Sequence, residues 1–237
     1  MTKFFHWTVI LGFIGLTCSG FILFGGRYDI NVERPTLWLK FESEHLQEGF
    51  DEDKTEFSSD SLYKPLEGVP SEEQRRTIIN EIIGEYNGIE TSFLRLAYYP
   101  VSGIVEASTD ARDTPFTEEA AEGRVITINK GPSGGLASGV AVPEQDEDDP
   151  SRNIACEVTI PGSTWDDAQT FKTTLSHEIG HCLGLDHNHA DFDAIMGYNS
   201  DTHRLGIDDQ MGVTYLYPLE ESYAKEAMTF GLSCQRN

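Results

Sequence analysis

The stretch His177-Glu178-Ile179-Gly180-His181-Cys182-Leu183-Gly184-Leu185-Asp186-His187 decides how the rest of the chain is read. On a helix, residues four apart share a face, so His177 and His181 offer two imidazoles to one ion from a single rigid element. Glu178 stands at the flank of that pair, where a carboxylate reaches a metal-bound water without ligating the metal. Gly184 suits a sharp stop, since glycine enters the left-handed conformation freely. The chain can turn there and bring His187 back as a third ligand. Three protein nitrogens with one open position is the arrangement of a catalytic zinc, whereas a structural zinc is closed by a fourth side chain. A helix carrying only solvated histidines is the bland alternative, and it leaves the spacing unexplained.

Shortly after His187, Ala194-Ile195-Met196-Gly197-Tyr198 forms a short loop around a methionine. The two pieces together resemble the metzincin metallopeptidases, whose signature joins the H-E-x-x-H-x-x-G-x-x-H string to a methionine turn. Within that group the features are mixed. Met196-Gly197-Tyr198 looks like the methionine-x-tyrosine of astacins and serralysins, where matrixins carry proline. The short domain and the Asp208-Asp209 helix start look more like matrixins. The chain is therefore read as a matrixin-like metzincin.

The 237 residues suffice for one domain with a real core. Hydrophobic residues at 38% and charged residues at 24% are ordinary for a folded protein, but the formal net charge of -23 is not. It argues against nucleic-acid binding, which needs a basic face, and favours solubility and neutral or basic partners. The four cysteines, Cys18, Cys156, Cys182 and Cys234, form no C-x-x-C pair, so a cysteine zinc site is not expected.

The chain opens with Lys3 and an almost wholly apolar run over residues 4–26. This reads as a targeting or anchoring segment outside the fold, bounded at residue 27. A cleaved signal, an uncut anchor of about 20 residues and a lipidation site at Cys18 remain open. All three export the catalytic part, and Lys3 marks the inner side. Membrane attachment through this segment is the expectation.

A domain over residues 28–218 follows, with a tail over 219–237. Leu37, Leu39 and Phe41 alternate as a first strand. Residues 42–70 are acidic and turn-rich, an insertion loop of unassigned role. Ser71-Glu72-Glu73-Gln74 reads as a capping box before a helix with the stripe Ile78, Ile79, Ile82, Ile83 and Tyr86. Strands are expected over 92–99, 124–129, 134–143 and 153–160, with a polar loop over 110–122. Gln145 to Asp149 is an acidic loop. A calcium ion would suit its charge, but the spacing matches no standard calcium loop, and a solvated turn is the preferred reading. Ser163 or Thr164 is expected to cap the helix that carries His177, and residues 205–218 to form a third helix.

The resemblance implies a mixed α+β fold: a twisted five-stranded sheet with one antiparallel edge strand, two long helices, and a C-terminal helix after the methionine turn. It implies one zinc on His177, His181 and His187, Met196 beneath it, and Glu178 as general base and acid for peptide hydrolysis. The edge around Leu136, Ala137, Ser138 and Gly139 resembles the strand along which metzincins bind extended substrates. Tyr198 sits where astacin-like tyrosines reach the zinc, and is expected to hydrogen-bond the developing oxyanion. In this fold the apolar face of the strand bearing Cys156 should oppose Cys182, so those two are expected to form a disulfide. Asp186 is read as a supporting carboxylate, and His189 and His203 as surface residues. The expected partners are protein or peptide substrates met by a monomer. Two other readings stay open: a non-catalytic, zinc-stabilised binding module, and a zinc hydrolase acting on peptidoglycan amides.

Overall fold

The computed structural model describes residues 21–54, 66–101, 103–132, 139–188, 193–197 and 202–230. Two short strands, β1 (Ile22–Leu23) and β2 (Arg27–Tyr28), precede β3 (Thr36–Phe41), the one-turn helix α1 (Ser43–Leu46) and the long helix α2 (Ser71–Asn87). Then come β4 (Arg95–Tyr98), α3 (Glu118–Ala121), β5 (Val125–Gly131), β6 (Val140–Gln145), β7 (Arg152–Pro161), α4 (Gly162–Trp165) and α5 (Ala168–Leu183). The described chain closes with β8 (Leu185–Asp186), α6 (Ile207–Leu216) and α7 (Glu221–Phe230).

The architecture is mixed α+β around a mainly parallel sheet. Its strands run in the order β2-β7-β5-β3-β4, all parallel, and β6 joins β7 in the antiparallel sense. The sheet has six strands rather than five because Arg27 and Tyr28 pair with Arg152 and Asn153 at the start of β7. One face of the central strands, carrying Leu37, Leu39, Ile126, Ile128, Val158 and Ile160, is fully buried in one core with Ile78, Ile79 and Ile82 of α2 and Leu175 and Ile179 of α5. This burial is what holds α5, and the histidines on it, against the sheet. Cys156 of β7 and Cys182 of α5 are joined as a disulfide, with Cα atoms 5.7 Å apart. The bond closes a 26-residue separation, worth about 3 kcal/mol in the chain-entropy account.

Several expectations are revised. The apolar N-terminal run does not stay outside the domain up to residue 27: β1 pairs antiparallel with β8, Ile22 opposite Asp186 and Leu23 opposite Leu185. Phe21 is buried, its ring 5.6 Å from that of Tyr215. An apolar run suits a core strand as well as a leader, and here its last residues find a partner strand. The 42–70 segment is not merely an insertion. Its described parts carry α1 and bury Leu46, Phe50 and Leu66 in the main core. The 110–122 segment likewise contains α3, capped by Thr117, whose side chain accepts from the Ala120 amide. Phe116 packs edge-on against Trp38 in a second, smaller cluster on the other face of the sheet.

Two helix starts differ as well. Pro70 leads directly into α2 without a side-chain cap, so Ser71 lies inside the helix and the capping box does not form. Ser163 and Thr164 fall in α4, and Asp167 caps α5 by accepting from the Thr170 amide at 2.8 Å.

Arg75 is the pin between α2 and the start of α5. It is fully buried, and its guanidinium lies 4.3 Å from the Phe50 ring, 4.7 Å from Trp165 and 4.8 Å from Phe171. It donates to the carbonyls of Trp165 at 2.6 Å and Gly49 at 3.1 Å. Arg75→Ala removes these donors, the cation–π contacts and a large buried volume together. It should cost about 3 kcal/mol in urea unfolding. A loss below about 1 kcal/mol would show that water replaces the guanidinium at both carbonyls.

Candidate metal centre

Helix α5 presents His177 and His181 one turn apart and ends at Gly184, which adopts φ 107°. That left-handed residue has a second constraint: a Cβ there would collide with the carbonyl oxygen of Gly26. The chain turns, runs through β8 against β1, and brings in His187. The three imidazole centroids then stand 4.6 to 5.0 Å apart, and their ligating nitrogens lie within 4.8 Å of one another.

Two of the rings are held from behind. Nδ1 of His177 hydrogen-bonds the Ile195 carbonyl at 2.7 Å, and Nδ1 of His181 the Leu185 carbonyl at 2.8 Å. A carbonyl only accepts, so each Nδ1 carries the proton and each Nε2 keeps its lone pair for a metal. Burial pushes the His177 pKa down to about 4 and lowers that of His181, which favours the neutral form a ligand needs. Asp186 supports the third ligand by accepting the His187 amide at 2.8 Å, with the carboxylate 3.7 Å from its ring Nδ1. Three imidazoles converging on one point, two of them tethered from behind in the ligating tautomer, fit a zinc ion.

Glu178 is buried beside this triad, near the backbone of Ala141 on β6. Burial raises its pKa to about 7. Gly139 passes so close that a Cβ on it would lie 2.7 Å from the Glu178 carboxylate and 2.6 Å from Thr174. The edge strand and the carboxylate thus meet at backbone distance.

Met196 is buried against α5, where a Cβ on Gly180 would overlap its sulfur. The turn around it is held by Asp209, which accepts from the amides of Ile195 at 2.6 Å, Met196 at 3.1 Å and Gly206 at 2.7 Å. Burial raises the Asp209 pKa to about 6, while these three donors pull it the other way. Asp208 accepts from the Asn188 side chain, next to His187.

The chain from 79 to 218 matches the family model described as Matrixin, more than half of the sequence. This chain belongs to the matrixin family. At family level the matrixin is a zinc metallopeptidase, and His177, His181 and His187 form the compatible metal-holding set. No curated protein matches it. Among solved structures, one titled "GM1 bound form of the ECX AB5 holotoxin" superposes with a TM-score of 0.37 at 15% identity, covering 86% of this chain and 81% of that one. So loose a likeness carries no argument.

Other residues singled out in the sequence fare differently in the matrixin. Tyr198, His189, Leu136, Ala137 and Ser138 lie outside the described residues. His203 is not a plain surface residue: its Nδ1 lies 2.7 Å from the Thr173 hydroxyl, on α5 one turn before His177. The acidic loop after β6 satisfies itself. Asp146 accepts from the amides of Asp148 and Asp149 and pairs with Arg152, and Asp149 accepts from Ser151. Among the described residues the only other candidate metal-ligand cluster is Glu42, Glu44 and His45, on the surface.

The roles of Gly180 and Asp209 escaped sequence reading. Gly180 interrupts a helix interior, where glycine costs about 1 kcal/mol against alanine, and that cost was a usable signal of close packing. Asp209 read simply as a helix-start carboxylate.

Proposed function

We propose that this matrixin is an exported zinc endopeptidase that cleaves extended protein or peptide chains laid along β6. The observation that carries the proposal is the placement of Glu178 between the three histidines and the backbone at Gly139, just before β6. When bound, zinc acidifies a water and polarises a substrate carbonyl. His177, His181 and His187 hold the ion, and the Ile195 and Leu185 carbonyls fix two of the rings in the ligating tautomer. Glu178 takes the proton from the water and passes it to the leaving amine. Among the described residues β6 pairs with β7 alone, so its other edge can take an extended substrate by main-chain hydrogen bonds. No side-chain nucleophile is needed.

Two features support export: the apolar residues 4–20 after Lys3, and the Cys156–Cys182 disulfide, which persists in oxidising compartments. No helix among the described residues is long and apolar enough to cross a membrane.

The test is hydrolysis of a quenched peptide library by the zinc-loaded chain. Cleavage should occur, stop with a chelator and return with zinc, and the chelator should also lower the melting temperature, because metal binding stabilises only the folded site. A metal-replete chain that cuts no peptide would reject the reading. Tyr198 is assigned the oxyanion donor. Tyr198→Phe should lower kcat by about 100-fold with KM little changed; a change confined to KM or to melting temperature would make the tyrosine structural.

A further inference from the structure

The apolar residues that open the described chain divide sharply in their surroundings. Phe21 is buried against Gly212 and Tyr215, and Leu23 packs on the main core. Phe24 does neither and is 52% exposed. Its place is nevertheless fixed. Its amide donates to the Gly184 carbonyl at 2.7 Å, the two residues before it pair with β8, and Gly25 turns the chain away at φ 112°. Strand pairing uses only its backbone, and the core does not need its ring. The ring stands instead 6.0 Å from the imidazole of His181, centroid to centroid.

We infer that Phe24 is the apolar wall of a substrate subsite beside the metal centre, taking an apolar side chain of the bound peptide. The inference rests on the peptidase reading above. An extended peptide advances about 3.3 Å per residue, so a ring this close to a metal ligand meets a side chain within about three residues of the cut bond. An aromatic ring offers a large contact area with few rotatable bonds, so little freedom is lost when a side chain covers it. Its exposed face is hydrated until substrate arrives, and covering it favours apolar partners.

The experiment compares the zinc-loaded full chain with its Phe24→Ala and Phe24→Leu variants. The substrates are quenched peptides that vary Leu, Phe, Ser and Asp at each of three positions on either side of the cut. Phe24→Ala should lower kcat/KM about tenfold for peptides with an apolar residue at one position, mainly through KM. Peptides with Ser there should be unaffected, and Phe24→Leu should recover part of the loss. Zinc affinity, measured by competition with a chromogenic chelator, should be the same in all three proteins. An equal loss on every peptide, or a weakened zinc affinity, would make Phe24 a support for β8 and overturn the subsite. If the wild-type chain cuts no peptide at all, the peptidase reading falls and the subsite with it; a position-independent loss removes the subsite alone.

Discussion

Glu178→Gln should leave the fold and the zinc in place and lower turnover roughly 10³- to 10⁴-fold. The substitution keeps size and shape beside Gly139, whose backbone passes closest to the carboxylate. It removes one capacity, that of taking up a proton. The three histidines do not depend on Glu178 for their orientation, since the tethered rings bond to Ile195 and Leu185. Metal content by elemental analysis should therefore match the wild type while peptide hydrolysis nearly vanishes. A variant with full zinc and turnover within tenfold of wild type would place the proton carrier elsewhere.

Asp209→Ala should have the largest effect on stability, about 4 kcal/mol, and should weaken zinc binding as well. Its carboxylate is buried and serves three backbone amides, those of Ile195, Met196 and Gly206. Leaving a buried donor without an acceptor costs about 1–3 kcal/mol, and the three are close enough that the losses will not simply add. The effect reaches the metal by a short route. Ile195 gives its amide to Asp209 and its carbonyl to His177, so loosening one end frees the other. Urea unfolding with and without zinc, together with chelator competition, reads both effects. A variant that loses stability but binds zinc as tightly as wild type would show that the turn and the ligand are independent.

What was legible before any coordinates depended on the distance over which the information is carried. His177, Glu178 and His181 are fixed by one helical turn and His187 by one glycine, so spacing alone identified them. The stripe of α2 and the alternation of β7 are also local, whereas the pairing of Cys156 with Cys182 followed from the fold that the resemblance implied. Met196 was recognisable only because a second motif lay close behind the first. Other features act across distance. Asp209 reaches back to the amide of Ile195, and nothing around either residue announces the bond. Arg75 lies in α2, and its ring partners Phe50, Trp165 and Phe171 are all far from it in sequence. The caps failed for a simpler reason: Ser71, Ser163 and Thr164 are all chemically able to cap, and the choice was made by Pro70 and by the extra turn of α4. Residues 21–23 were misread because apolar character serves a leader and a core equally well.

In the exported matrixin proposed above, that last segment would couple two processes that are usually separate, delivery of the chain and assembly of its metal loop. Ile22 and Leu23 form one side of the ladder whose other side is Leu185 and Asp186, so these residues cannot serve a bilayer and β8 at once. A membrane that drew these residues in would do so by unzipping the strand beside His187. A processing enzyme faces the same geometry: a cut before Phe21 leaves the ladder whole, whereas a cut after Leu23 removes it.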